Sequence, residues 1–97
     1  MRERDIENYL RDRIKKVGGI AYKFESPGNV GVPDRLILLP GGEVHFIELK
    51  APGRKPTKNQ THQHKRFERL GSIVHVIDSK QGVDEWIDKM VGASNAV

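Results

Sequence analysis

Two acidic motifs on either side of a Pro-Gly-Gly turn constrain this chain more than any other feature. A Pro-Asp pair at 33–34 precedes one apolar stretch, and a Glu-Leu-Lys motif at 48–50 ends the next. This pattern predicts a β-hairpin whose antiparallel pairing places Asp34 beside the end of the second strand. Because side chains alternate along a strand, Glu48 and Lys50 share one face while the residue between them points into the core.

Two carboxylates and an ammonium at one sheet edge are the groups that a divalent-metal phosphodiesterase uses. Carboxylate oxygens suit a hard cation, and a lysine beside the attacked phosphate can stabilise developing negative charge. Acids and lysines are also common at strand ends, so the alternative is a surface cluster without chemistry. The strand context of Asp34 and Glu48 favours the catalytic interpretation.

Charge along the chain points to a polyanionic partner. The 97 residues, enough for one domain, include 17 Lys or Arg against 13 Asp or Glu, a formal charge of +4. Six of the basic residues follow the acidic motifs directly, against the single acid Glu68: Arg54, Lys55, Lys58, Lys65, Arg66 and Arg69. A solubilising helix face is the alternative, but the position beside the acids favours nucleic acid.

The cysteine content and the length of the apolar runs indicate where in the cell the protein is expected to work. The chain has no cysteine, which excludes disulfides and zinc–thiolate sites and fits a reducing cytoplasm. It has no apolar run long enough for a signal peptide or a membrane span, so no membrane partner is expected. His62 and His64 have no thiolate partner and are interpreted as surface or DNA-proximal residues rather than zinc ligands.

Periodicity predicts an α/β (α+β) chain with the order α-β-β-β-α-β-α and a mixed sheet flanked by helices. The predicted elements are helix 4–17, strand 20–24, a loop at 26–33, hairpin strands 34–39 and 43–50, helix 57–70, strand 72–77 and helix 81–90. The last strand should lie parallel to strand 43–50. Residues 1–91 form one domain, and 92–97 are expected to be a flexible tail.

Helix 57–70 begins at the N-cap Thr57 and carries few apolar residues. Gln60, Gln63 and His64 occupy the positions where its first turns should be apolar, so this half is either solvated or faces a wet site. The last helix has an apolar stripe, and its Trp86 is interpreted as a core residue rather than a base-stacking platform.

These motifs together resemble the VRR-NUC (virus-type replication-repair nuclease) family of the PD-(D/E)xK nuclease superfamily, in its short standalone form typical of phages. The resemblance covers residues 4–86. It rests on Ile6-Glu7, Lys23-Phe24, Ser26-Pro27-Gly28, Gly31-Val32-Pro33-Asp34-Arg35, Phe46-Ile47-Glu48-Leu49-Lys50-Ala51-Pro52-Gly53, Pro56-Thr57, Gln60 and Leu70-Gly71.

The resemblance implies a PD-(D/E)xK restriction-endonuclease-like core and a structure-selective DNA endonuclease that needs Mg²⁺ or Mn²⁺. Standalone members look like Holliday-junction resolvases that act as homodimers; a phage-encoded member would work in the bacterial host cytoplasm. The implied roles are: Asp34, Glu48 and the Leu49 backbone carbonyl as metal ligands; Lys50 as the residue that activates water; Glu7 as an outer ligand or lysine partner; Gln60 as the residue that positions the site.

Several side chains around the motifs are candidates for phosphate contact: Lys23, Ser26, Arg54, Lys55 and Lys58. For the homodimer, both the thin apolar face of helix 57–70 and the apolar last helix are candidate contact surfaces. Two other classes stay open: a nucleic-acid-binding module without catalysis, and a small interaction protein.

Overall fold

The structure is a computed structural model that describes residues 1–95, with side chains described through residue 91. Its elements are α1 (Glu3–Lys16), β1 (Ile20–Lys23), β2 (Arg35–Leu39), β3 (Glu43–Leu49), α2 (Lys58–Arg69), β4 (Val74–Ile77) and α3 (Lys80–Asn95). The predicted order and α+β class are confirmed. The last helix continues past its predicted end at 90, so the predicted tail begins inside α3, and residues 96–97 lie outside the described residues.

The four strands form one mixed sheet in the order β1-β2-β3-β4. The first three strands are antiparallel neighbours, and β4 pairs with β3 in parallel, as predicted. The β2–β3 turn contains Gly41 and Gly42, whose φ angles of 93° and 86° are ones that side-chain-bearing residues rarely adopt. This tight turn sets the register in which Arg35, the residue after Asp34, pairs with Ile47, the residue before Glu48.

One face of the sheet is covered by α1 and α3. Apolar side chains from α1, α3 and the strands form one buried cluster that includes Ile6, Leu10, Ile37, Ile47, Leu49, Val83, Trp86 and Ile87. Trp86 is 7% exposed, so the prediction that it belongs to the core is confirmed. The alternation along β3 then turns Glu48 and Phe46 to the opposite face.

The opposite face is covered by α2 alone. Phe67 packs its ring edge-on against Phe46, with ring centroids 4.9 Å apart, and against Phe24 at 6.4 Å. This contact anchors the C-terminal half of α2, while its N-terminal half lies over the end of β3. The polar first turns of α2 therefore face the sheet end that carries the acids.

Ion pairs fix α1 against the rest of the molecule. The guanidinium of buried Arg35 pairs with Glu7 and donates to the carbonyl of Ala21 at 2.9 Å. Farther along α1, Arg13 pairs with Asp84 of α3. These contacts set the rotation of α1 about its axis and hence decide which of its acids face the sheet end. No helix among the described residues is both long and apolar enough to cross a bilayer.

Candidate active site

Asp34 lies at the start of β2 and is held by both neighbouring strands. Its backbone carbonyl accepts a hydrogen bond from the Phe24 amide at 2.8 Å. Its carboxylate Oδ2 accepts one from the Leu49 amide of β3 at 2.9 Å. The carboxylate therefore has a fixed position beside the backbone between Glu48 and Lys50.

Glu48 is the most deeply buried acid of the site, with 1% of its surface exposed. Its Oε2 accepts a hydrogen bond from Gln60 Nε2 at 2.9 Å and lies 3.8 Å from Lys50 Nζ. Its Oε1 has no hydrogen-bond partner within the described structure and lies 3.7 Å from His64 Nε2. One carboxylate oxygen is thus positioned by the protein, and the other is left for a further partner.

Gln60 is oriented by the helix start itself. Thr57 is the N-cap of α2, and its hydroxyl accepts a hydrogen bond from the Gln60 amide at 3.2 Å. The Gln60 side-chain oxygen in turn accepts from the Thr57 amide at 2.9 Å, completing a capping box. With its oxygen engaged in this way, the side-chain NH₂ group is directed at Glu48.

The electrostatic environment of this site disfavours the charged form of Glu48. Burial, then the negative charge of nearby Asp34, raise the pKa of Glu48 to about 8, while Lys50 partly offsets the rise. A divalent cation between the two carboxylates would reverse this balance, because it favours their charged forms.

The donor set fits a hard cation. It consists of the carboxylate oxygens of Asp34 and Glu48 and the backbone carbonyl of Leu49. The amide of the same Leu49 donates the hydrogen bond that the Asp34 carboxylate accepts. Among the described residues no group of three or more His, Cys, Asp or Glu side chains is placed to hold a metal ion. Two carboxylates with backbone and water oxygens match the coordination of Mg²⁺, which keeps several waters.

Glu7 of α1 contacts β2. Its carboxylate pairs with Arg35, so α1 uses this acid to dock on β2. Glu3, one helical turn earlier, is the α1 acid whose charge is felt at the site. Burial, then the charges of Asp34 and Glu7, raise the pKa of Glu3, and Lys50 opposes that rise.

His64 is buried, which contradicts its interpretation as a surface residue and agrees with the alternative that this half of the helix faces a site. His62 is exposed, as expected, but His64 is 7% exposed and faces Glu48. Burial lowers the pKa of the His64 imidazole, which favours its neutral form. The signal was available in the spacing, since Gln60 and His64 are four residues apart and share a helix face, as do Glu3 and Glu7.

The five candidates for phosphate contact lie at the margin of the acidic cluster and not within it. Lys23 ends β1, opposite Arg35, and is exposed. Ser26 is half-buried in the following loop, where its hydroxyl accepts from Asn29 at 2.8 Å. Exposed Arg54 and Lys55 follow β3, and exposed Lys58 begins α2. The structure therefore brings together Asp34, Glu48, Lys50 and Gln60 and leaves the five phosphate-contact candidates at the margin.

A mixed sheet with an acid on each of two antiparallel strands, and a lysine beside the second acid, defines the PD-(D/E)xK class of nuclease folds. No family model matches the chain. It is 54% identical over 80 residues to "Putative nuclease p44" of Acyrthosiphon pisum secondary endosymbiont phage 1, covering 82% of this chain and 86% of that protein. A solved structure of a VRR_NUC domain superposes with a TM-score of 0.83 at 34% identity, covering 89% of this chain and 94% of the other. The chain belongs to the VRR-NUC nuclease family.

Proposed function

We propose that this protein is a Mg²⁺- or Mn²⁺-dependent endonuclease that hydrolyses phosphodiester bonds of DNA. The observation that carries the proposal is Glu48, a buried carboxylate with one oxygen fixed by Gln60 and the other unpartnered, beside Asp34 and Lys50. Burying a carboxylate beside a second one is costly unless a cation compensates it.

Each residue of the cluster has a distinct part in this proposal. Asp34, Glu48 and the Leu49 carbonyl hold the metal ion, which supplies charge neutralisation and a more acidic bound water. Lys50, 3.8 Å from Glu48, orients the attacking water and stabilises negative charge that develops on the phosphate. Gln60 keeps Glu48 in its binding rotamer.

The acids of α1 contribute from farther out. Glu3 acts on the site through its charge, whereas Glu7 fixes the position of α1 through Arg35. The role that the resemblance implies for Glu7 is thereby divided between two acids on one helix face.

The substrate we propose is branched DNA, such as a Holliday junction, cut by a homodimer. Lys23, Ser26, Arg54, Lys55 and Lys58 are placed around the site for phosphate contact. Two symmetry-related cuts require two sites, and this chain provides one. We also propose that the reaction takes place in the bacterial host cytoplasm; the phage origin of the p44 relative supports this location.

The dimer contact that we propose differs from both surfaces suggested by the sequence. The apolar residues of α3 are buried in the core, and Phe67 of α2 packs on the sheet. Leu70, at the end of α2, is exposed but isolated from Phe67's contact with the sheet. The exposed apolar surface that we choose is the part of the sheet that α2 does not cover, defined here as the open face: Ile20, Tyr22, Leu38 and Val44, exposed by 48%, 54%, 37% and 51%. Ile20, Leu38 and Val44 are direct neighbours across three strands, which makes the open face contiguous.

A cleavage panel tests this function against its main alternative, a nucleic-acid-binding module without catalysis. Labelled single strand, duplex, flap, splayed arm and four-way junction are incubated with the protein in Mg²⁺, Mn²⁺ or EDTA. We expect metal-dependent cuts, strongest on a branched substrate. Tight DNA binding with no cut in either metal would establish the non-catalytic alternative.

A further inference from the structure

A second concave site lies between the loop after β1 and helix α2. Its volume is about 220 Å³, and its walls include Phe24, Phe67, Gln63, Arg66, Asn29 and Ser26. This volume is below the range typical of pockets for drug-sized ligands and suits a single planar ring system. The walls combine aromatic rings, amide side chains and one cation.

Gln63 is the unusual residue of this wall. It lines the pocket and is 9% exposed as a residue, and within the described part of the chain its side-chain amide makes no hydrogen bond to the protein. Asn29, on the opposite wall, is by contrast already bonded to the Ser26 hydroxyl. The free donor and acceptor of Gln63 are therefore available to a ligand in the pocket.

The other groups match the remaining parts of a nucleotide. Phe24 and Phe67, with ring centroids 6.4 Å apart in an edge-on arrangement, supply apolar surface for the face of a base. Arg66 is exposed at the rim, where a guanidinium can contact the attached phosphate. An amide that carries both donor and acceptor is suited to the polar edge of a base.

The pocket and the active site share two walls. Gln63 is three residues, about one helical turn, beyond Gln60, whose side chain contacts Glu48. The loop that forms the other wall runs directly into Asp34, and at Gly31 it packs against the backbone of Asn59 and Gln60. A base in the pocket therefore belongs to a nucleotide close to the phosphate at the metal ligands.

We propose that this pocket binds one unpaired nucleobase of the strand that is cut, with its edge on Gln63 and its face on the two phenylalanines. The inference rests on the proposed function and adds to it a defined substrate requirement. DNA must present an unstacked base next to the cut, which fits branched or frayed strands better than intact duplex.

The test is an abasic scan of the preferred cleavage substrate. Single abasic residues replace each nucleotide within three positions of the cut, and kcat/KM is measured for each substrate. We expect a loss of about 5- to 100-fold at one position and little effect at the others. Cleavage with a flat profile overturns the base pocket alone, whereas no cleavage of any substrate overturns the proposed nuclease function itself.

Gln63→Leu then assigns the effect to this pocket. It should lower kcat/KM on intact DNA and remove the extra loss at the sensitive position, while Gln81→Leu, an exposed amide on α3, behaves as wild type. The unfolding free energy of Gln63→Leu should stay close to that of wild type, because the substitution removes no hydrogen bond within the described protein. A Gln63→Leu variant that keeps the full abasic loss, or that changes only the sedimentation of the free protein, overturns the assignment.

Discussion

At the scale of single residues, the site depends on how one carboxylate is held. Glu48 is fixed through Gln60, and Gln60 is fixed through the N-cap Thr57. The helix-capping motif thus becomes part of the proposed catalytic site. Its N3 residue, Gln60, uses its side-chain oxygen for the cap and its side-chain NH₂ group for Glu48. The same residue contributes to helix stability and to site geometry, and experiments must separate the two.

Gln60→Ala should weaken apparent metal affinity about 10- to 100-fold, because residues that hydrogen-bond to metal ligands typically have effects of that size. It should also lower stability by about 1 kcal/mol through the lost cap. Thr61→Ala, an exposed substitution in the same helix turn, is the matched control. Metal titrations of cleavage, read beside urea unfolding, check this. Unchanged metal affinity in Gln60→Ala would exclude the positioning role.

Glu48 should also make the metal-free protein less stable as pH rises. Its folded pKa of about 8 lies above the ordinary glutamate value of 4.5, so between these two pH values the folded state holds a proton that the unfolded state has lost. The contribution of Glu48 to the free energy of unfolding is fully present below pH 4.5. It is therefore lost progressively up to about pH 8, at roughly 1.4 kcal/mol per pH unit.

Urea unfolding in EDTA between pH 5 and 9 measures this loss, and Glu48→Gln is the comparison because its amide does not ionise. We expect the variant to exceed wild type in stability at pH 8–9 and the two to converge near pH 5. Added Mn²⁺ should stabilise wild type more as pH rises. Parallel pH profiles for the two proteins would contradict the burial of an ionisable Glu48.

At the scale of elements, the sequence predicted the order and topology because turns, caps and periodicity are local signals. The Gly-Gly turn fixed the hairpin, and Thr57 fixed the start of α2. The rotation of α1 was not predictable, because it depends on the pairing of Glu7 with Arg35, two residues far apart in sequence. For that reason Glu3 escaped notice, although it shares a helix face with Glu7, which was singled out.

The loop before β2 approaches α2 closely at Gly31. This contact should fix the positions of the loop and the helix relative to each other. Gly31 has φ of +95°, and a Cβ there would lie 2.6 Å from the Asn59 backbone. Gly28 has φ of +82° but open space around it. Both alanine variants carry backbone strain, so their difference isolates the steric clash.

Gly31→Ala should therefore destabilise the protein by about 1–3 kcal/mol more than Gly28→Ala, and it should reduce cleavage more strongly because α2 carries Gln60. Chemical denaturation and kcat/KM of both variants give the comparison. Equal effects of the two substitutions would show that loop and helix are not tightly packed.

At the scale of the whole molecule, the two faces of the sheet are unequal. Two helices cover one face, and a single helix covers the other, which leaves the open face apolar and accessible. The alternation of side chains along the strands correctly predicted that the sheet has two distinct faces. It could not indicate how much of one face a single helix would cover. Four adjacent apolar side chains form the kind of patch that marks an interaction surface.

Sedimentation of wild type and Leu38→Glu tests the dimer through the open face. We expect a wild-type dimer at micromolar concentration, and a monomer for Leu38→Glu because a charge would be buried in the contact. Leu70→Glu, at an 88% exposed position outside the open face, is the control and should remain dimeric. A wild-type monomer with and without a junction, which still cuts paired strands, would defeat this arrangement.

The central claim is that Asp34, Glu48 and Lys50 form a metal-dependent cleavage site. The most direct measurement is single-turnover cleavage of a labelled branched DNA by wild type, Asp34→Asn, Glu48→Gln and Lys50→Ala, each in Mg²⁺, Mn²⁺ and EDTA, with folding and DNA affinity measured in parallel. We expect wild type to cut only with metal, and each folded, DNA-binding variant to lose at least about 100-fold in rate. Wild-type rates in Glu48→Gln, or full cleavage in EDTA, would contradict the account.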